Sequence, residues 1–235
     1  MGPDTITAAI VSHGENDMHA DVNERVVVAT QTAPWLATAD GEGACKPLDS
    51  LEAGAGTTSL VQAPAGAVFA APGGALGEEI LVLDGTLTDA RGVWGAGAYL
   101  RNPPGSEIPL HSETGCVLFI KHLAFDAEDT AAVRLDTASM RWLPGLVPGL
   151  TVMPLHEHAG EHTALVRWQP ETFFQSHAHF GGEEILVLDG VFEDEFGRYP
   201  AGSWLRSPHM SRHQPFSREG CTIFVKVGHL GAGQQ

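Results

Sequence analysis

The sequence predicts an all-β protein built from two copies of one unit, and two observations support this prediction. The stretch Gly77–Lys121 matches Gly182–Lys226 without a gap at a shift of 105 residues, with 22 of 45 positions identical. Short apolar runs such as "EEILVLDG", "GCVLFIKH" and "GCTIFVKV" are separated by glycine-containing turns, without a long amphipathic helical pattern between them. Regularly spaced short strands favour a sandwich or jelly-roll barrel over an α/β fold.

A repeat of about a hundred residues indicates duplication of a whole domain rather than a solenoid. We therefore expect an N-terminal unit over residues 1–123 and a C-terminal unit over residues 139–235. The segment between them, 124–138, reads "AFDAEDTAAVRLDTA"; it is acidic and lacks strong strand character, which is typical of a connection. Sheet edges tend to pair, so we expect a compact chain that can form a homodimer.

The composition narrows the range of partners. The formal net charge is -16, with 13 basic and 29 acidic residues, which argues against nucleic acid and anionic membranes as general partners. The sequence has no run of eighteen apolar residues to span a membrane, and its first residues lack the basic region of a signal peptide. Three cysteines fit a reduced compartment, so the predicted location is the cytoplasm and the predicted partner is a small molecule.

The histidines are concentrated in the second copy, where seven of the twelve lie between His156 and His213. His177 and His179 are two residues apart, so on a strand they face the same side. Glu183 follows four residues later, after two glycines, and His213 thirty residues after that. Three imidazoles and a carboxylate are a usual ligand set for one divalent transition metal. Fe or Zn are the leading candidates, and Ni or Mn also fit this set.

These stretches resemble the two motifs of the cupin superfamily. "HAHFGGEEILVLDG" is similar to the first motif, with three residues between the second histidine and Glu183 and six residues between Glu183 and Gly190. "GSWLRSPHMSRH" is similar to the second motif, although Met210 stands where a glycine is usual. The wider pattern resembles the ChrR-type cupin family. The resemblance implies a bicupin of two double-stranded β-helices, with metal ligands His177, His179, Glu183 and His213. Glu184 is the neighbouring alternative to Glu183.

The first copy lacks this ligand set. At a shift of 105 the four positions fall on Pro72, Gly74, Glu78 and Ile108, so only the carboxylate remains. One carboxylate without imidazoles does not hold a transition metal tightly, and we therefore predict a structural first unit. His111, three residues beyond Ile108, is a potential substitute, but a lone histidine is more often a surface residue.

Several other residues have two interpretations. The histidines of "LHEHAGEH", which are His156, His158 and His162, either form an exposed polar loop or line the pocket entrance or a second ion site. Cys116 and Cys221 occupy equivalent strand starts, which is typical of core residues. Arg206 and its counterpart Arg101 either tie strands together or, for Arg206, hold an anionic substrate. Tyr199 and Trp204 are predicted to be core residues.

Three classes of function are compatible with these features of the sequence. Relatives in the cupin superfamily include dioxygenases, so one expectation is a non-haem Fe(II) dioxygenase acting on a small organic molecule. The resemblance to ChrR proteins implies a second class, a zinc-binding sensor or anti-sigma-like transcription regulator. Residues 1–30 contain no cysteine, which disfavours the helical zinc domain of those regulators. A third class is a non-catalytic small-molecule binder.

Overall fold

The chain folds into β-strands throughout its described length. A computed structural model of the chain describes residues 18–38, 41–51, 56–69 and 76–230. Besides strands and the turns and loops that join them, these residues form a single 3₁₀ turn at Thr137–Ser139. None of their helical turns is long and apolar enough to cross a bilayer. The all-β prediction is confirmed.

The strands follow one another closely along the chain. In the first half they are β1 (Val26–Ala29), β2 (Leu36–Ala37), β3 (Ala44–Ser50), β4 (Gly56–Ala63), β5 (Ala67–Phe69), β6 (Glu78–Asp89), β7 (Gly92–Gly95), β8 (Tyr99–Asn102), β9 (Leu110–Ser112), β10 (Cys116–Leu123) and β11 (Val133–Leu135). In the second half they are β12 (Leu143–Pro144), β13 (Leu150–His158), β14 (Glu161–Trp168), β15 (Thr172–Phe173), β16 (His177–Ala178), β17 (Glu183–Asp194), β18 (Gly197–Pro200), β19 (Ser203–Ser207), β20 (Arg212–His213), β21 (Phe216–Ser217) and β22 (Cys221–Val227).

The strands form two compact units with the same topology. In the first unit the main sheet has the order β11-β8-β6-β10-β4-β3-β2, and in the second it has the order β1-β19-β17-β22-β14-β13-β12. Smaller strands pair with the far end of the long strand in each unit, β7 and β9 with β6, and β18 and β21 with β17. In the second unit, β16 and β20 form a separate two-stranded ladder.

The division of the chain differs from the predicted one at two short segments. Residues 21–33 belong to the second unit, because β1 pairs with β19 over the four positions Val26–Ala29. The segment predicted to be a plain connection contains β11, which pairs with β8 in the first unit. The second unit is thus completed by β1, which precedes the first unit in the sequence, and the first unit is completed by β11, which precedes the second unit.

The repeated "EEILVLDG" is explained by the bend that each long strand makes. The registers of β6 and β17 shift near the end of this stretch, at Val82/Asp84 and at Val187/Asp189. Such bulges let one strand bend and contribute to two sheets. Gly85 and Gly190 follow the bulges with φ of 72° and 71°, and a Cβ at either would collide with the carbonyl oxygen of Gly115 or Gly220. Only glycine fits this crossing, which explains why both copies keep it.

Each unit buries its own apolar core between the curled sheets. In the second unit the core contains Leu150, Trp168, Ile185, Val187, Phe192, Tyr199, Leu205, Cys221 and Ile223. In the first unit it contains, among others, Val61, Phe69, Ile80, Val82, Leu87, Leu100, Leu110, Leu118 and Ile120. The two cysteines at equivalent strand starts, Cys116 and Cys221, are members of these cores, and burial raises the pKa of the Cys221 thiol to about 12.

Candidate metal centre

Short strands of the second unit bring the predicted ligands together. His177 on β16 lies directly opposite His213 on β20. The backbone of His179 continues this ladder, because its N–H donates to the carbonyl of Ser211 and its carbonyl accepts from the N–H of Met210. Glu183 is the first residue of β17. Positions far apart in sequence therefore converge through backbone pairing.

The three imidazoles are close enough to share one ion. Their potential ligand atoms all lie within 4.8 Å of one another. The ring centroids are 4.6 Å apart for His177 and His179, 4.8 Å for His179 and His213, and 5.1 Å for His177 and His213. Glu183 Oε2 lies 3.4 Å from His179 Nε2 and 3.6 Å from His213 Nε2. Among the described residues, no second group of three potential ligands is this close.

Contacts at Nδ1 leave the Nε2 atoms of His177 and His213 as their available donors to a metal. The Nδ1 atom of His177 lies 3.0 Å from the carbonyl oxygen of Gln175, and that of His213 lies 3.4 Å from Asp194 Oδ2. The Nε2 atoms of His179 and His213 are buried and have no hydrogen-bond partner. A buried polar atom without a partner destabilises a fold. Two such atoms beside a buried carboxylate are what a bound cation would satisfy, so these residues fit a metal ion.

The electrostatics of the cluster favour the neutral imidazole at His177 and His179. Burial lowers the pKa of His177, and it lowers the pKa of His179 to about 3, with the neighbouring imidazoles adding to the effect. Burial also raises the pKa of Glu183 to about 7. For His213, burial lowers the pKa, but the hydrogen bond to Asp194 and the charge of Glu183 outweigh it and raise the pKa overall. Neutral imidazole is the form that binds metals, and a divalent cation would favour the ionised carboxylate of Glu183.

A second layer of contacts, which the sequence interpretation missed, holds the His213 side chain. The carboxylate of Asp194 at the end of β17 is fully buried and accepts hydrogen bonds from Tyr199 Oη at 2.8 Å and from Arg25 Nη2 at 3.0 Å. Arg25 also donates to Tyr199 Oη at 2.7 Å. The internal repeat gave one sign that Asp194 matters, because Asp194 matches Asp89 in the first copy. It gave no sign that Arg25, which lies 169 residues from Asp194 in the sequence, contacts this carboxylate.

An apolar cavity opens onto the cluster. Its volume is ≈ 170 Å³. Three of its lining residues are polar, namely His177, Glu183 and His213. The others are Leu146, Leu150, Val152, Val166, Trp168, Phe174, Phe192, Pro215, Ile223 and Val225. The ion site thus lies at the polar end of an otherwise apolar pocket.

The corresponding positions of the first unit are arranged differently. Glu78 is buried and its carboxylate is held by Asn102 Nδ2 at 2.9 Å and His122 Nε2 at 3.1 Å. Ile108 is half-buried, and His111 lies on β9 opposite Val68 and Thr88. Pro72 and Gly74 lie outside the described residues. The remaining carboxylate of this unit is therefore engaged in hydrogen bonds within the protein.

The other residues singled out in the sequence lie outside the cluster. Glu184 is within 2.9 Å of His229 Nε2 and does not face the ligand histidines. His156, His158 and His162 lie on the β13–β14 hairpin, opposite Thr163, Glu161 and Glu157 respectively. Arg206 is fully buried and donates to the carbonyl of Asp21, while Arg101 contacts Asp129 and Glu79. Trp204 is buried, as predicted for a core residue.

Two jelly-roll barrels in tandem, one with an HxH pair, a glutamate and a later histidine gathered inside it, define a bicupin. The sequence model of the family described as the ChrR cupin-like domain matches the chain twice, over residues 23–126 and 130–231. The chain therefore belongs to the ChrR cupin-like family, as the motifs predict.

Solved structures share this fold at low sequence identity. A protein from Nostoc punctiforme provisionally named a dioxygenase aligns with a TM-score of 0.68 and 16% identity over 90% of this chain and 85% of its own. The protein Ylba from E. coli aligns with a TM-score of 0.69 and 14% identity over 93% and 97% of the two chains. The oxalate decarboxylase of Lactobacillus farciminis, in a formate complex, aligns with a TM-score of 0.62 and 11% identity over 88% and 86%. The sequence has no significant match among curated proteins.

Proposed function

We propose that the second unit binds one divalent transition metal through His177, His179, Glu183 and His213. We further propose that the chain is a metal-dependent oxidoreductase of the dioxygenase type, acting on a small and largely apolar organic molecule. The observation that supports the metal most directly is the pair of buried Nε2 atoms, on His179 and His213, that have no hydrogen-bond partner and converge with Glu183.

The arrangement of the ligands suits catalysis better than a closed structural site. His177, Glu183 and His213 also form part of the cavity wall, so a small molecule in the cavity would reach a metal that these residues hold, as catalysis at an open position requires. Fe(II) in this site would supply the electron transfer that reactions with O2 require. The protein itself would hold His177 and His179 neutral, keep water out of the pocket with its apolar wall, and orient His213 through Asp194.

The cavity indicates the class of substrate. Its volume of ≈ 170 Å³ is similar to the apolar cavity of about 150 Å³ that holds one benzene molecule. Neither lysine nor arginine is among its lining residues. A small dianion such as oxalate would therefore find little charge compensation beyond the metal. A neutral diketone or hydroxy ketone, with two oxygens for the metal and an apolar remainder for the pocket, fits both ends of the site.

Metal analysis followed by an oxygen-uptake screen tests the proposal. Protein made without a chelating tag is expected to contain about one transition metal per chain, measured by elemental analysis. The metal-free protein is then loaded with Fe(II) and screened with small diketones and hydroxy ketones in an oxygen electrode, with His179→Ala as the control. Oxygen uptake by the wild type and not by the control supports the oxidoreductase. Firm zinc occupancy with no oxygen uptake for any compound would favour a zinc-binding sensor instead.

A further inference from the structure

Arg25 lies in a segment whose position in the chain gives no hint of the metal site. It directly precedes β1, which comes before the strands of the first unit in sequence but pairs with β19 of the second. This segment is anchored on both sides of Arg25. Arg206 donates to the carbonyl of Asp21 at 2.7 Å, and the N–H of Thr30 donates to the carbonyl of Gly202 at 3.0 Å. Arg25 is therefore held at a defined position in the second unit.

The contacts of Asp194 divide between its two oxygens. Oδ1 accepts hydrogen bonds from the N–H groups of Phe196 and Gly197 and from the hydroxyl of Tyr199, at 2.8, 3.0 and 2.8 Å. Oδ2 lies 3.0 Å from Arg25 Nη2 and 3.4 Å from His213 Nδ1. The turn after β17 thus fixes one oxygen, and Arg25 fixes the oxygen that faces the predicted metal ligand.

We propose that Arg25 is a positioning residue for the metal centre, acting on His213 through Asp194. The inference rests on the proposed function, since it assumes that His213 is a ligand. Arg25 holds Oδ2 in place, and Oδ2 in turn fixes the rotation of the His213 ring, so that Nε2 points toward the other ligands. The Arg25 guanidinium lies over the rings of Phe196 and Tyr199, at 5.1 and 5.4 Å from their centroids, which restricts its own movement.

The first unit contains the same device without the histidine. Asp89, the counterpart of Asp194, accepts from Trp94 Nε1 at 3.0 Å and from Arg134 Nε at 2.7 Å. Arg134 lies on β11, the strand that completes the first unit as β1 completes the second. The position of His213 is Ile108 there. An arginine–aspartate pair thus has a structural role in both units, but in the second unit alone it also contacts a candidate ligand. The first unit therefore supplies a matched control.

The test compares Arg25→Met with Arg134→Met in the full chain. Zn²⁺ affinity is measured by chelator competition, the ligand geometry by the absorption spectrum of the Co²⁺-substituted protein, and stability by thermal unfolding of the metal-free protein. Loss of an outer-layer partner weakens metal binding by about 10- to 100-fold. Because Arg25 acts through Asp194, we expect Arg25→Met to weaken Zn²⁺ binding by about tenfold and to alter the Co²⁺ spectrum. Arg134→Met should lower stability and leave both metal readouts unchanged.

A conservative variant separates charge and position from bulk. Arg25→Lys keeps a cation near Oδ2 and should restore most of the Zn²⁺ affinity that Arg25→Met loses. If both methionine variants lower stability while leaving the affinity and the Co²⁺ spectrum unchanged, Arg25 is merely structural and the inference is overturned. If the wild-type chain takes up neither Zn²⁺ nor Co²⁺, the proposed function is overturned together with it.

Discussion

The two units have the same strand order and differ in what fills the barrel. Seven apolar positions that line the cavity of the second unit have counterparts in the core of the first. The cavity residues are Val166, Trp168, Phe174, Phe192, Pro215, Ile223 and Val225. Their equivalents in the repeat are, in the same order, Val61, Ala63, Phe69, Leu87, Leu110, Leu118 and Ile120. The apolar character of these positions is thus kept in both copies, whereas the three histidines of the site are present in one. A fold of this kind persists without its chemistry because its stability depends on the apolar positions and the turns.

The largest effect is expected from the ligands themselves. Replacing His179 or His213 by Ala removes an imidazole from the cluster, and metal content should fall from about one ion per chain to nearly none. Elemental analysis of purified variants measures this. Glu78→Gln, at the position that matches Glu183, is the control in the first unit and should leave metal content unchanged. A second ion in the wild type that disappears in Glu78→Gln would contradict the assignment of the first unit as structural.

The next effect concerns the strand that each unit receives from outside its own repeat. A fragment of residues 139–235 lacks β1, so β19 would lose one of its strand partners and the buried carboxylate of Asp194 would lose Arg25. Leaving such a carboxylate without its cation destabilises a protein by about 3–5 kcal/mol when both charges are buried, and by less here because Arg25 is partly exposed. We expect this fragment to aggregate or to unfold readily, by circular dichroism and size-exclusion chromatography.

A second fragment sharpens this comparison. Residues 21–33 joined by a glycine–serine linker to residue 139 restore β1, Arg25 and the contacts of Thr30. This longer fragment should be markedly more stable than the first. Equal stability of the two would mean that β1 is dispensable and that the repeat, taken alone, defines the folding unit.

The exchange of β1 and β11 also shows where sequence reasoning stops. The duplicated runs predicted the strands, and the spacing of His177, His179 and Glu183 predicted a cluster, because alternation on strands and tight glycine turns are local rules. A four-residue strand such as β1 carries no local record of its partner, since backbone hydrogen bonding is the same along any sheet edge. The acidic composition of 124–138 likewise predicted a connection, and so it gave no sign that three of these residues form the strand β11. Arg25 contacts Asp194 only because the segment that contains β1 belongs to the second unit.

A smaller effect follows from exchanging a cavity residue for its counterpart in the first unit. Trp168→Ala installs the residue found at Ala63 and removes an indole that packs edge-on against Phe192 at 5.8 Å. Truncation of a buried tryptophan destabilises a protein by about 3–5 kcal/mol. We expect a loss near the lower end, because Trp168 already borders a cavity, with metal content unchanged. Unfolding in denaturant measures the loss of stability, and elemental analysis measures the metal content. Loss of metal in this variant would show that the apolar wall and the ion site are not separable.

The smallest effect lies in the turn between Pro208 and Ser211. Met210 has a φ of 61°, which is a left-handed conformation. Its counterpart in the first unit has the same conformation, with a φ of 74°, but is a glycine, Gly105. This conformation costs a residue with a Cβ about 1–2 kcal/mol, and glycine adopts it freely. Met210 is 56% exposed, so removal of its side chain forfeits little packing. Met210→Gly should therefore relieve the strain, offset in part by about 0.5–1 kcal/mol of added freedom in the unfolded chain.

The net stabilisation from Met210→Gly is expected to be at most about 1 kcal/mol, a rise of roughly 2–4 °C in the midpoint of thermal unfolding. Gly105→Met imposes the same strain on the first unit and should lower that midpoint. The N–H of Met210 donates to the carbonyl of His179 at 2.8 Å, so the turn is tied to the ligand ladder. Zn²⁺ affinity measured on both variants would then reveal whether the ladder depends on a stiff residue at this position. A lower midpoint for Met210→Gly would mean that the methionine side chain stabilises the turn by more than its backbone strain costs.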